Sequence, residues 1–357
     1  MADPTARNDF SEAVPAGAHT PRRLAVLGSP IAHSLSPALH DAAYRALGLP
    51  WQYTATRIEA HELDGFLAGL TPEWLGLSLT MPLKHQVQSR LGELDRVATL
   101  TGAVNTVRIG DVQEGGVRIG DVQGGDARIG DGQGGDAQIG DGREGDARIG
   151  DDPATGSARP LTGYNTDVPG LVRALAEAGV DRAVRVTLLG AGATAASALV
   201  AAAELGAETV DIIARTPERA DVLVDLGHRL GLVVTVSGLA ALADPDRLTD
   251  LVISTLPGDA ELGTEFPALL RTDTLLFDVG YAPWPTALAS SWAAAGGRAL
   301  SGRTMLLHQA LIQVRIFVGN DPFLPLPNEA AVLQAMRAAL PADPVPGDGR
   351  PGRPVEG

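Results

Sequence analysis

Apolar residues along this chain fall into two patterns: short continuous runs, and longer stretches in which they recur every three or four positions. Arg22 to Leu27 is a run of the first kind and predicts a strand, closed by the turn Gly28-Ser29-Pro30. Ser36-Pro37 predicts a helix start, with Ser36 as N-cap and Pro37 in the first helical position. The apolar stripe that follows is Leu39, Ala43, Leu47. Further on, the pattern predicts a strand at Trp51 to Ile58, a helix at Glu62 to Leu70, a strand at Trp74 to Thr80 and a helix at Leu91 to Thr99. Regular structure breaks off and resumes at Leu161. It then predicts a helix at Val168 to Ala178, a strand at Ala183 to Leu189, a helix at Thr194 to Leu205 and a strand at Thr209 to Ala214. Leu251 to Ser254 and Thr274 to Val279 read as buried strands, and Met305 to Phe317 as an amphipathic helix. Alternating strands and helices imply an α/β protein with largely parallel sheets.

The break is a tenfold period. From Arg108 to Asp151 the units RIGDVQEGGV, RIGDVQGGDA, RIGDGQGGDA, QIGDGREGDA and RIGDD succeed one another. Each carries one Ile amid Gly and Asp, too little apolar surface to offset the entropy of ordering. A disordered insertion is the expectation. Glycine- and aspartate-rich calcium repeats have a period of nine and a different pattern. The domains this suggests are a disordered leader 1–21, a first α/β domain 22–167 with the insertion at 108–158, a second α/β domain 168–302, further helices at 303–340 and a disordered tail 341–357.

Composition narrows the function classes. The 357 residues suit two domains, and 45% apolar content suffices for two cores. A net charge of -15 argues against nucleic acid or an anionic membrane as partner. The absence of cysteine excludes disulfides, thiolate catalysis and Cys-ligated zinc, and no His–Glu spacing suggests another metal. The N-terminal segment carries Asp3, Asp9 and Glu12 and has no apolar core, so it does not read as a secretory signal. A cytoplasmic protein is the expectation.

One loop carries cofactor chemistry. Val184 to Leu189 runs into Gly190-Ala-Gly192-Ala193-Thr-Ala195 and then a helix, a G-x-G-x-x-A turn. Gly190 permits the tight turn, Gly192 lets a pyrophosphate approach, and the helix end at Ala193 offers amides to it. The same sequence would also serve a turn that only packs a helix on a strand. Asp211 lies at the distance where an acid would hold an NAD ribose, yet Ile212, Ile213 and Ala214 continue the strand beyond it. The strand end is Ala214-Arg215-Thr216. Arg215 and Arg219, with the Thr216 hydroxyl, suit a 2′-phosphate and favour NADP. A solvated pair at a helix start is the plainer reading of the two arginines.

Polar clusters sit at the other chain breaks: Ser34-Leu-Ser36-Pro37, Ser78-Leu-Thr80-Met-Pro82-Leu-Lys84, Ala103-Val-Asn105-Thr106 and Asn165-Thr-Asp167. Hydroxyls and amides of this kind suit a polyol acid, and Lys84 with Asp167 provides a cation and carboxylate for proton transfer. Asp278-Val-Gly-Tyr281-Ala-Pro283 and Gly302-Arg-Thr-Met305-Leu-Leu-His-Gln309 follow in the second half. Together and in this order, these motifs resemble the shikimate dehydrogenase family over about residues 22–335, the insertion excepted.

The resemblance implies an N-terminal α/β substrate-binding domain, a Rossmann-like NADP-binding domain, the active site in the cleft between them, and last helices that return to the first domain. It implies Lys84 and Asp167 as the catalytic pair. Ser34 and Ser36 would hold the substrate carboxylate, and Thr80, Asn105, Tyr281 and Gln309 the ring. Gly302 and Met305 would join Gly190, Gly192, Ala193, Arg215, Thr216 and Arg219 around the cofactor. The implied activity is NADPH-dependent reduction of 3-dehydroshikimate to shikimate, in aromatic amino acid biosynthesis, by a monomer or homodimer. The sequence departs from the family at Ser78 and Ala214, where Asn is common, and in the repeat insertion. An NAD-dependent quinate/shikimate dehydrogenase and a non-catalytic regulatory homologue are the alternative readings. His33 and His308 read as packing or hydrogen-bonding residues.

Overall fold

The computed structural model describes residues 20–110 and 159–342. The expected leader up to residue 19, the repeats from 111 to 158 and the tail from 343 lie outside the described residues.

Twelve strands among the described residues form two six-stranded sheets. The first sheet takes β1 (Arg22–Gly28), β2 (Trp51–Arg57), β3 (Trp74–Leu79), β4 (Glu93–Leu94), β5 (Thr106–Ile109) and β6 (Leu161–Tyr164) in the order β2-β1-β3-β5-β6-β4. All its pairings are parallel except those of β5, which runs antiparallel to β3 and β6. The second sheet takes β7 (Arg185–Leu189), β8 (Thr209–Ile213), β9 (Val233–Ser237), β10 (Leu251–Ser254), β11 (Leu275–Asp278) and β12 (Ala299–Ser301). Its order is β12-β11-β10-β7-β8-β9 and every pairing is parallel. That is the doubly wound dinucleotide-binding order, with its reversal between β7 and β10.

The helices in chain order are α1 (Ser36–Ala46), α2 (Leu63–Ala68), α3 (Leu83–Gln86), α4 (Arg96–Thr101), α5 (Asp167–Glu177), α6 (Ala193–Glu204), α7 (Asp221–Arg229), α8 (Ala268–Asp273), α9 (Ala287–Ala294), α10 (Arg303–Gly319) and α11 (Glu329–Ala338). They cover both faces of each sheet, which is why the central strands β3, β5, β7 and β10 are buried along nearly their whole length. Leu24 and Val26 of β1 join one core with Leu39, Leu311 and Phe317, while Ala25 and Leu27 join another with Leu63, Leu77 and Leu83. The second sheet divides the same way, Val186 and Leu188 to one side, Leu189 and Val252 to the other.

Four local expectations are corrected. Ser36 is not the N-cap of α1: Leu35 holds that position without a side-chain bond, and Ser36 is already helical. The helix expected from Leu91 starts only at Arg96, because Asp95 caps it by accepting from the Ala98 N–H at 2.6 Å and the residues before it pair as β4. Arg108 and Ile109, which open the first repeat, belong to β5. Finally, α10 is not amphipathic. From Leu307 to Phe317 every residue is buried, because the helix runs between α1, α5, α11 and the first sheet. Its polar side chains must therefore find partners inside the protein. Arg315 Nε meets Glu329 Oε2 of α11 at 2.6 Å, and His308 Nε2 meets Glu177 Oε2 of α5 at 2.9 Å.

Candidate active site

The register of the first sheet delivers most of the polar clusters to one edge. Ser78 of β3 is aligned with Thr106 of β5, and Thr106 with Tyr164 of β6. The next residues along each strand therefore lie side by side: the Leu79 N–H donates to the Asn105 carbonyl at 2.8 Å, and the Asn105 N–H to the Tyr164 carbonyl at 3.1 Å. The Thr80 N–H donates to the Leu27 carbonyl of β1 at 2.9 Å, so the loop carrying Ser34 and Ser36 leaves from the same edge. The antiparallel course of β5 makes this work. It places the residue before the strand, Asn105, level with the residues after β3 and β6.

At that edge Lys84 Nζ lies 2.6 Å from Asp167 Oδ2, with 13% and 3% of the two side chains exposed. The carboxylate is almost fully enclosed and the ammonium keeps one open side. Asp167 Oδ1 accepts from Asn105 Nδ2 at 2.8 Å, and the same amide donates to Gln309 Oε1 of α10 at 3.0 Å. Four of the residues read from the motifs, Lys84, Asn105, Asp167 and Gln309, thus form one contiguous cluster. An ammonium has three protons, of which Asp167 takes one.

Two features hold the cluster in place. Asn165 Oδ1 accepts from the Asp167 N–H at 3.0 Å, while its Nδ2 donates to Ser197 Oγ at 3.0 Å. Ser197 belongs to α6, the helix that follows the cofactor loop, so one amide ties the two halves of the molecule beside the pair. Gly170, one turn after Asp167, lies under Gln309. A Cβ there would come within 2.8 Å of Gln309 Cβ and 3.0 Å of its backbone N. Only glycine lets α10 approach closely enough to bring Gln309 beside Asn105.

The second sheet supplies the other wall. Leu189 of β7 is aligned with Ile213 of β8, so the loops after them are neighbours. Gly190 has φ +109, and a Cβ there would collide with the Thr255 hydroxyl. Gly192 precedes α6 and has open space where a Cβ would stand, so a phosphate has access to the helix end. Arg215 and Arg219 follow β8, both exposed, and among the described residues neither is drawn into an ion pair. Asp211 is occupied elsewhere: its carboxylate accepts from the Thr235 hydroxyl and from Arg247, the latter at 2.9 Å. The donor set thus fits a dinucleotide with a 2′-phosphate.

Other motif residues lie at these edges without touching the cluster. Ser36 N–H donates to Ser34 Oγ at 3.3 Å. Tyr281 follows β11, and burial pushes its phenol up from the ordinary value. The loop that carries it is pinned by Asp278, which accepts from Thr286 Oγ1 at 2.6 Å and from the Gly280 N–H at 3.1 Å. Gly302 and Met305 stand at the start of α10 beside β12, and a Cβ on Gly302 would strike the Val279 carbonyl. His33 is exposed. The motifs passed over Gln313, one turn beyond Gln309 on the same helix face, and His40, one turn beyond Ser36. Both are buried and hydrogen-bonded towards the cluster.

The shikimate dehydrogenase substrate binding domain matches residues 26–107. A shikimate dehydrogenase (NADP(+)) of Rubrobacter xylanophilus is 31% identical over 303 residues, which is 83% of this chain and 90% of the relative. The chain belongs to the shikimate dehydrogenase family. Solved members superpose along most of it. The shikimate dehydrogenase of Mycobacterium tuberculosis is 34% identical with TM-score 0.66, covering 89% of this chain and all of the other. A shikimate 5-dehydrogenase of Thermus thermophilus, solved in complex with NADP(H) and shikimate, is 27% identical with TM-score 0.62 and covers 89% of this chain. Two α/β units with a Rossmann-like second unit are thus the family's architecture and this chain's. Among the described residues no helix is long and apolar enough to cross a membrane.

Proposed function

We propose that this chain is an NADP-dependent shikimate dehydrogenase, reducing 3-dehydroshikimate reversibly to shikimate in aromatic amino acid biosynthesis. The observation that carries this reading is the enclosed Lys84–Asp167 pair, set at the first sheet's edge and linked through Asn165 to the helix of the cofactor loop. The curated and solved relatives bear the same name.

When bound, NADPH supplies the hydride. Gly190, Gly192 and Ala193 would hold its pyrophosphate, Arg215, Thr216 and Arg219 its 2′-phosphate, and Gly302 and Met305 would flank it. Ser34 and Ser36 would hold the substrate carboxylate, and Thr80, Asn105, Tyr281 and Gln309 its ring. Lys84 places its ammonium on the ring ketone oxygen and gives it a proton as negative charge develops there. Asp167 holds the ammonium in line and stabilises its protonated form once the proton is replaced. A cytoplasmic monomer or homodimer is part of the same proposal.

The test follows the absorbance of reduced nicotinamide with shikimate or quinate and with NADP+ or NAD+. Shikimate with NADP+ is expected to be fastest. Preference for quinate with NAD+, or NADPH binding without turnover, would overturn the reading.

A further inference from the structure

A line of buried hydrogen bonds runs from the core of the first domain to Asp167, and its direction is fixed by main-chain groups at two points. The Asn105 carbonyl only accepts. Gln313 faces it at 3.4 Å with Nε2, which also donates to Thr106 Oγ1 at 3.0 Å. The other end of that amide, Oε1, then only accepts. It meets Ser78 Oγ at 3.0 Å and His40 Nε2 at 3.1 Å, so both must donate. Ser78 spends its proton there and takes one from the Tyr53 hydroxyl at 2.7 Å. His40 carries its proton on Nε2, leaving Nδ1 to accept from the Tyr44 hydroxyl at 3.0 Å.

The second fixed point is nearer the pair. The Thr166 N–H only donates, and it meets Asn105 Oδ1 at 2.9 Å. Thr106 Oγ1, already accepting from Gln313, gives its one proton to the same Oδ1 at 2.8 Å. Asn105 is thereby obliged to turn its NH2 towards Asp167 and Gln309. Reversing any single amide in this line would set two acceptors or two donors face to face in a buried site, where such contacts are most costly.

The geometry points to Gln313, Thr106 and His40 as positioning residues: a one-way line of donors, Tyr44 to His40 to Gln313 to Thr106 to Asn105, that delivers an N–H to Asp167 Oδ1 and leaves Oδ2 for Lys84. Burial lowers the His40 imidazole to about 3, so it stays neutral and keeps the single proton that the line needs. Its ring stacks on Tyr53 at 3.9 Å, which fixes its plane. Ser78 serves as a second donor to Gln313. The assignment to catalysis rests on the function proposed above; the direction of the line does not.

The experiment has two arms on the full-length protein. Nitrogen-15 NMR of the His40 ring at neutral pH is expected to show the proton on Nε2 and a bare Nδ1; a proton on Nδ1 overturns the line. In the kinetic arm, Gln313→Met and Thr106→Val remove the polar link at nearly constant volume. Each is expected to lower kcat for shikimate oxidation about tenfold while KM for NADP+ stays within about twofold. Thr106→Ser, which keeps the hydroxyl, is expected to regain the lost rate. The double variant is expected to be no slower than the slower single one, because both cut one line. Folded single variants with unchanged kcat overturn the positioning role, and the threonine pair carries this arm if Gln313→Met fails to fold. A wild-type protein without shikimate turnover would refute the function while the ring proton still reports the line.

Discussion

Lys84 Nζ and Asp167 Oδ2 stand 2.6 Å apart although 83 positions separate them in sequence, and the repeat region lies within that interval. The contact depends on two chain breaks meeting: the turn after β3 that leads into α3, and the first residue of α5 after β6. Because the first sheet aligns the ends of these strands, the pair is insulated from whatever length of chain separates its members.

Removing the ammonium tests that pair. Lys84→Ala is expected to lower kcat about a hundredfold, the usual scale for losing one preorganised donor at a developing oxyanion. NADPH affinity, set by the second domain, is expected to stay within about twofold. Stopped-flow turnover with a separate fluorescence titration of NADPH separates the two quantities. An unaltered kcat would remove Lys84 from the chemistry.

The proposed function gives cofactor choice to Arg215 and not to Asp211. Loss of one charge-assisted contact to a 2′-phosphate is worth about 1.5–3 kcal/mol, so Arg215→Ala is expected to raise KM for NADP+ by about tenfold or more and to leave KM for NAD+ nearly constant. Asp211→Asn is expected to leave the ratio of the two unchanged, since that carboxylate is already engaged by Arg247 and Thr235. A shift towards NADP+ in Asp211→Asn would contradict this division.

Much of the site was legible because its residues sit at chain breaks, where small polar clusters stand out against apolar strands. Lys84, Asn105 and Asp167 stand in such clusters, Gln309 inside α10 is reached only through the family resemblance, and the structure brings all four into contact. The supporting residues were not legible, for a physical reason. Gln313 and His40 each lie on a helix face, outside the polar clusters at the chain breaks. Whether water or another helix covers that face depends on α1, α5 and α11 assembling around α10, a property of tertiary packing. The misplaced helix start at Leu91 has a local cause: its apolar spacing continues a helical pattern backwards through β4, and only the Asp95 cap marks the true beginning.

The close crossing of α5 and α10 makes Gly170 a sensitive position. Gly170→Ala would force the Gln309 backbone outward by several tenths of an ångström, or more. Overpacking of this kind costs about 1–3 kcal/mol. A lower Tm is expected, together with a fall in kcat, because Gln309 and Asn105 lose their register. A variant equal to wild type in both would show that α10 has room to move.

Burial of His40 predicts an acid-sensitive fold. Its folded-state pKa lies below the unfolded value of 6.5, at about 3. Its contribution is therefore intact above 6.5 and is lost progressively as pH falls from there towards 3, the unfolded chain taking up a proton that the native state refuses. One proton corresponds to about 1.4 kcal/mol per pH unit, so between pH 6.5 and 5 the wild type is expected to lose about 2 kcal/mol more than His40→Gln. Tyr44, Tyr53 and Gln313 surround the ring, and none of them changes charge in that window. Urea denaturation of both proteins at the two pH values measures the difference; parallel curves would mean that His40 is protonated in the native state.

The last prediction concerns the insertion. Its two ends meet at the far end of the β5–β6 hairpin: Ile109 is paired with Leu161, and the Gly110 N–H donates to the Pro160 carbonyl at 2.8 Å. Four residues of extended chain, Thr106 to Ile109, separate Gly110 from Asn105, a span of roughly 17 Å along the strand. Replacing residues 111–158 with Asn-Gly leaves a three-residue connection between Gly110 and Pro160, a common hairpin length. A shorter loop is easier to close, by about 0.6 kcal/mol for each halving. The shortened protein is therefore expected to keep its fold, its kcat and its KM for shikimate, with Tm equal or higher. The cut must not reach Ile109, which is buried in the core beneath β5. Loss of folding on removal of 111–158 alone would make the repeats part of the structure; loss of activity in a folded protein would make them part of the site.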